Sequence, residues 1–140
     1  MVSEFKVLLV DDEEDFANTL VKRLNKRKLN ASYALSGKEA IRVVGETDPD
    51  VVVLDVKMPD MDGIETLKQI KAIKPSIEVI MLTGHANVEV AIRGMELGAF
   101  DYLMKPMEID ELLYKLQDAY KKKCCNIDDK ECEIPSSLKI

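Results

Sequence analysis

Five short apolar runs, each separated from the next by a stretch of helical periodicity, constrain this chain more than any other feature. The runs are residues 6–10, 31–35, 51–54, 77–82 and 100–104. The third, Val51-Val52-Val53-Leu54, is mostly β-branched and has no polar alternation, as expected of a strand covered on both faces. Between the runs, apolar side chains recur at helical spacing: Phe16, Leu20, Val21 and Leu24; Ala40, Ile41, Val43 and Val44; Ile64, Leu67, Ile70 and Ile73; Val88, Ala91, Ile92 and Met95. A last helix carries Ile109, Leu112, Leu113, Leu116 and Tyr120. Strands alternating with helices through short connections require a parallel sheet with helices on both faces. The expected fold is therefore α/β, a doubly wound five-stranded parallel sheet flanked by five helices.

Local signals agree with these boundaries. Ser36 stands three residues before Glu39, the spacing of a capping box. Gly45 with Pro49, Pro75 and Gly98 are placed to end the second, third and fourth helices. Lys22, Arg23, Lys26, Arg27 and Lys28 gather toward the end of the first helix, where cations complement the macrodipole. From about Lys121 the pattern stops, so residues 1–122 read as one domain and 123–140 as a polar C-terminal tail, expected to be mobile.

A chain of 140 residues, 46% hydrophobic, suffices for one domain with a two-sided core. Its net charge of -6 argues against direct nucleic-acid binding by this domain, since phosphate backbones demand clustered cations. No apolar run approaches a membrane span of roughly 20 residues, and no signal-peptide pattern precedes Phe5. Cys124, Cys125 and Cys132 all fall in the tail and cannot staple the core. They lack zinc-ligand spacing and read as free thiols of a cytoplasmic protein.

Chemistry gathers at the strand ends. The first strand delivers Asp11 and Asp12, the third Asp55, the fourth Thr83 and the fifth Lys105. In a sheet of this kind, ligands bind outside the carboxyl ends of the strands. Glu13, Glu14 and Asp15 extend the acidic run; Glu14 and Asp15 fit the positive start of a helix, whereas Asp11 and Asp12 belong to the crevice. Three carboxylates, one lysine and one divalent cation sum to neutrality, and Mg²⁺ favours oxygen ligands. A carboxylate beside a metal and a lysine can act as nucleophile toward phosphorus, giving an aspartyl phosphate. Lys105, the Thr83 hydroxyl and the backbone N–H groups following Asp55 and Thr83 are candidates to hold phosphoryl oxygens, and Gly84 leaves room for entry.

These motifs together resemble the response-regulator receiver domain of two-component signalling, across roughly residues 5–122: Asp11-Asp12, Leu54-Asp55-Val56-Lys57-Met58-Pro59 with Asp62-Gly63, Thr83-Gly84, and Asp101-Tyr102-Leu103-Met104-Lys105-Pro106. The resemblance implies a flavodoxin-like sheet of order 2-1-3-4-5 and Asp55 as phosphoacceptor. It implies Mg²⁺ on the Asp12 and Asp55 side chains and the Lys57 carbonyl, with Asp11 acting through a metal-bound water. It further implies a cis Lys105-Pro106 peptide and a switch in which Thr83 moves to the phosphoryl group while Tyr102 turns inward. The output would leave through the fourth helix, fifth strand and fifth helix. The implied partners are a sensor histidine kinase or histidine phosphotransfer protein upstream and a protein partner or output domain downstream, with a phosphorylation-dependent homodimer as a further form. The protein would be no enzyme in the ordinary sense, but a phosphoacceptor that promotes its own phosphorylation and dephosphorylation. Lys57 and His85, flanking the site, are candidates to tune phosphoryl lifetime.

Two rival classes fail on local chemistry. A haloacid-dehalogenase-type phosphatase needs a second acid two residues after its nucleophile, where this chain has Lys57. A flavin protein of the same topology needs a phosphate-binding loop after the first strand, where this chain has five acids.

Overall fold

Alternating side chains of the strands feed two separate cores, and that division organises the molecule. A computed structural model describes residues 5–56, 63–84, 88–105 and 107–128, with backbone alone for residue 88 and for 123–128. In chain order the elements are β1 (Lys6–Val10), α1 (Glu14–Lys26), β2 (Asn30–Ala34), α2 (Gly37–Thr47), β3 (Val51–Asp55), α3 (Gly63–Ile73), β4 (Glu78–Thr83), α4 (Val88–Glu96), β5 (Asp101–Met104) and α5 (Ile109–Asp128). The strands form one parallel sheet of order β2-β1-β3-β4-β5, as expected. This is the flavodoxin-like, doubly wound arrangement, with helices on both faces.

On one face Val7, Leu9, Val51, Val53, Ile80, Leu82 and Leu103 pack with Leu20 and Leu24 of α1 and Leu112, Leu113 and Leu116 of α5. On the other, Leu8, Val10, Val52, Leu54, Val79 and Met81 meet Ala40 and Val44 of α2 and Leu67 and Ile70 of α3. Every β3 residue is buried, which matches its unbroken apolar run. Complete burial of such side chains contributes roughly 1.5–3 kcal/mol each.

The caps explain the helix limits. The Glu39 N–H donates to Ser36 Oγ at 3.1 Å, while the Glu39 carboxylate accepts the Leu35 N–H at 3.2 Å, one residue earlier than in a standard capping box. Gly98 ends α4 with φ +107, a conformation in which a Cβ is strained.

Two apolar positions of α4 differ from the periodicity reading. Ile92 and Met95 are 52% and 38% exposed, whereas Ala91 and Gly94 are buried. The reason is close approach: a Cβ on Gly94 would lie 3.1 Å from Met81 Cε, so the small residues face the sheet and the larger ones turn outward. Ile73, also expected on a buried face, is 46% exposed at the end of α3.

The last helix also differs, continuing to Asp128 instead of stopping near Lys121. Nothing in Lys121-Lys122-Lys123-Cys124-Cys125 breaks a helix. In addition, Lys122 Nζ lies 3.1 Å from Oε2 of Glu78, a carboxylate buried at the start of β4. Cys124 and Cys125 thus stand on helical backbone, while Cys132 lies outside the described residues.

Gly63 begins α3 hard against the chain leaving β3. Its N–H donates to the Val56 carbonyl at 3.1 Å, and a Cβ there would fall 2.6 Å from Val56 Cα. Backbone cannot yield as a side chain can. Gly63→Ala is expected to destabilise the domain by about 1–3 kcal/mol, measured by urea unfolding. A change within a few tenths of that of a surface substitution would show that the 2.6 Å approach is relieved without cost.

Candidate acidic phosphoacceptor site

Strand alternation selects which side chains meet at the carboxyl edge. Asp11 follows Leu9, Asp55 follows Val53 and Lys105 follows Leu103, each by two residues, so all three project on the α1/α5 side. Asp11 is fully buried, Asp55 is 7% exposed and Asp12 faces solvent. One carboxylate oxygen from each of Asp11, Asp12 and Asp55 lies within 4.8 Å of the others. Lys105 Nζ donates to Asp11 Oδ2 at 2.7 Å and stands 3.9 Å from Asp55 Oδ2. The lysine is therefore held chiefly by Asp11 and is poised beside Asp55.

Three local contacts fix this arrangement. The Glu13 N–H donates to Asp11 Oδ1 at 2.9 Å, which orients the buried carboxylate and closes the turn into α1. The Lys105 N–H donates to the Thr83 carbonyl at 2.8 Å, tying the end of β5 to that of β4. The ring of Phe16, on the first turns of α1, lies beneath the Lys105 ammonium at 4.5 Å from its centroid. Periodicity placed Phe16 only on a core-facing stripe. Its contact with Lys105 joins residues 89 positions apart in the chain and has no local sequence signal.

Thr83 is fully buried, and its hydroxyl donates to the Gly84 carbonyl at 3.1 Å. Tyr102 is partly exposed and packs against the core on the α2/α3 side. One expected oxygen-binding group is already engaged: the Val56 N–H, immediately after Asp55, donates to the Leu82 carbonyl at 3.1 Å. Parallel pairing of β3 with β4 carries one bond past Asp55 and uses that donor. Lys57, His85 and the Lys105-Pro106 peptide lie at or in segments outside the described residues.

The donor set suits a hard divalent cation. It consists of carboxylate oxygens alone, carries two more negative charges than Lys105 offsets, and is partly open to solvent through Asp12.

A doubly wound sheet whose carboxyl edge gathers three acids and a lysine defines a class of α/β domains with an acidic, cation-compatible site at that edge. Comparison with known proteins narrows that class. Residues 7–117 match the response regulator receiver domain family, and the chain belongs to that family. It is 37% identical over 131 residues to transcriptional regulatory protein ZraR of Salmonella typhimurium, covering 94% of this chain and 29% of that protein. It is 38% identical over 117 residues to sporulation initiation phosphotransferase F of Bacillus subtilis, covering 84% of this chain and 91% of that protein. Among solved structures, a response regulator receiver domain protein from Clostridium thermocellum superposes with a TM-score of 0.84 at 35% identity, covering 87% of this chain and 98% of that one. The chain thus spans less than a third of the transcriptional regulatory protein but nearly all of the sporulation protein. It is a receiver domain of two-component signalling, a phosphoacceptor module that works by phosphorylation. Among the described residues, no helix is long and apolar enough to cross a membrane.

Proposed function

We propose that this domain is a cytoplasmic switch thrown by transfer of a phosphoryl group to Asp55 from the phosphohistidine of a sensor kinase or phosphotransfer protein. The observation that carries this reading is the Lys105 ammonium, 2.7 Å from Asp11 and 3.9 Å from Asp55. A carboxylate oxygen of Asp55 attacks phosphorus, the O–P bond forms as the N–P bond of the donor breaks, and the imidazole leaves with a proton. Lys105 turns from Asp11 toward a phosphoryl oxygen, and Thr83 exchanges the Gly84 carbonyl for another. Asp12 and Asp55, the Lys57 carbonyl and, through water, Asp11 would hold Mg²⁺. Bound there, the cation supplies the positive charge that offsets the phosphoryl oxygens. The same residues position water for loss of the group, so the domain promotes both its phosphorylation and its dephosphorylation. Lys57 and His85 are the residues whose variation would set the lifetime.

Departure of Thr83 from Gly84 leaves space that Tyr102 fills by turning inward, and the change is read on α4, β5 and α5. Exposed Ile92, Met95 and Tyr114 supply apolar contact on the two helices for a downstream partner, an output domain or a second copy. Its relatives include a longer transcriptional regulator as well as a protein of nearly this length, so the domain acts alone or as the receiver piece of a larger regulator. With a net charge of -6, nucleic-acid contact in a larger regulator would reside outside this domain.

Incubation of the wild-type protein with Mg²⁺ and a small phosphodonor tests the reading. Intact mass is expected to rise by one phosphoryl group, with loss of the label in hydroxylamine and slow labelling in excess chelator. No incorporation under any condition would overturn it.

A further inference from the structure

The Lys105 ammonium has an unusual set of neighbours for a surface-edge lysine. Asp11 Oδ2 takes one N–H at 2.7 Å, Asp55 Oδ2 stands at 3.9 Å, and the centroid of the Phe16 ring lies at 4.5 Å. The lysine side chain is 24% exposed, and Phe16 is itself half-buried against the α1/α5 core. An aromatic face attracts a cation through its quadrupole but accepts no conventional hydrogen bond. It therefore replaces water at the ammonium while leaving N–H groups free for an incoming anion. The position of the ring is also well determined, because the next turn of α1 is anchored by buried Ala17 and Leu20.

We propose that Phe16 is a positioning residue for phosphoryl transfer: its ring holds the Lys105 head beside Asp55, partly desolvated, with donors available for the phosphoryl group. The inference rests on the site reading given above. An aliphatic side chain of similar size would preserve the packing of α1 but let water rehydrate the ammonium. Each transfer would then require that water to be displaced and Lys105 to be brought back to the site.

The test uses the full chain with Mg²⁺ and a small phosphodonor. Phe16→Leu is expected to lower the labelling rate roughly three- to tenfold, the range of a partly desolvated cation–π contact, and Phe16→Trp to restore it. Mono-, di- and trifluorophenylalanine at position 16 change shape little while weakening the quadrupole stepwise. The logarithm of the rate is expected to fall with each added fluorine, a trend that a purely structural role does not produce. Independently of labelling, the ε-methylene protons of Lys105 in the wild type are expected to be shifted upfield by the ring and to lose that shift in Phe16→Leu. Failure of the wild type to label would overturn both the site reading and this proposal. Normal wild-type labelling with rates indifferent to fluorination, or an unshifted Lys105 methylene, would overturn the role of Phe16 alone.

Discussion

Asp55→Asn is expected to abolish phosphoryl labelling and, in the absence of divalent cation, to make the domain more stable. Loss of labelling follows from removal of the nucleophile, because an amide cannot form the acyl phosphate. The opposite sign on stability follows from the charge count. Asp11, Asp12 and Asp55 place oxygens within 4.8 Å of one another, and Lys105 gives its short contact to Asp11. At an effective dielectric near that of a protein edge, repulsion from two neighbouring carboxylates exceeds the attraction of one ammonium at 3.9 Å. Neutralising Asp55 should therefore stabilise by about 1–2 kcal/mol at low salt. Urea melts with chelator and with Mg²⁺ read this directly: wild type should gain more from Mg²⁺ than Asp55→Asn does. Labelling that persists in Asp55→Asn would place the acceptor elsewhere. A variant less stable than wild type in chelator would show that Asp55 is held by more attraction than repulsion.

Lys105→Met has the next largest expected effect, and here function and stability fall together. The substitution keeps most of the packing of the lysine stem but leaves the fully buried carboxylate of Asp11 without its partner at 2.7 Å. Partial compensation remains from the Glu13 N–H, so a loss of about 2–3 kcal/mol is expected in chelator. Mg²⁺ should recover more of that loss than it adds to wild type, since the site then lacks its resident cation. The labelling rate should drop on the order of a hundredfold, the usual result of removing a charged donor from a developing oxyanion. A labelling rate within twofold of wild type would remove Lys105 from the transfer step. Unchanged stability in chelator would mean that Asp11 finds other partners when the lysine is gone.

Much of this site is legible in the amino-acid order because a parallel strand has a fixed period of two. Val7, Leu9 and Asp11 lie on one face, as do Val51, Val53 and Asp55, and Leu103 and Lys105. The apolar members state which face is buried, and the next residue along the same face becomes the polar group at the edge. The helices are legible for a similar reason where the stripe is wide, as in α1, with Leu20, Val21 and Leu24 buried.

The reading fails where the spacing between elements decides. On α4 the larger apolar residues Ile92 and Met95 face outward because Ala91 and Gly94 let the helix approach Met81. At the end of β3 the Val56 N–H is used by the Leu82 carbonyl, a consequence of how far the β3/β4 ladder runs. At the C-terminus, α5 continues to Asp128, and Lys122 meets a carboxylate buried in β4. None of these partners is near in sequence.

Five strands, their covered faces and the acids, threonine and lysine delivered to one edge are already written in the amino-acid order, because local period and strand-end placement are properties of neighbouring residues. How those groups share their charge is set by packing between distant elements: Lys105 is bonded to Asp11, beside Asp55 and over the ring of Phe16. That apportionment depends on ångström-scale distances between elements up to 94 residues apart, which are set by the packing of the two cores.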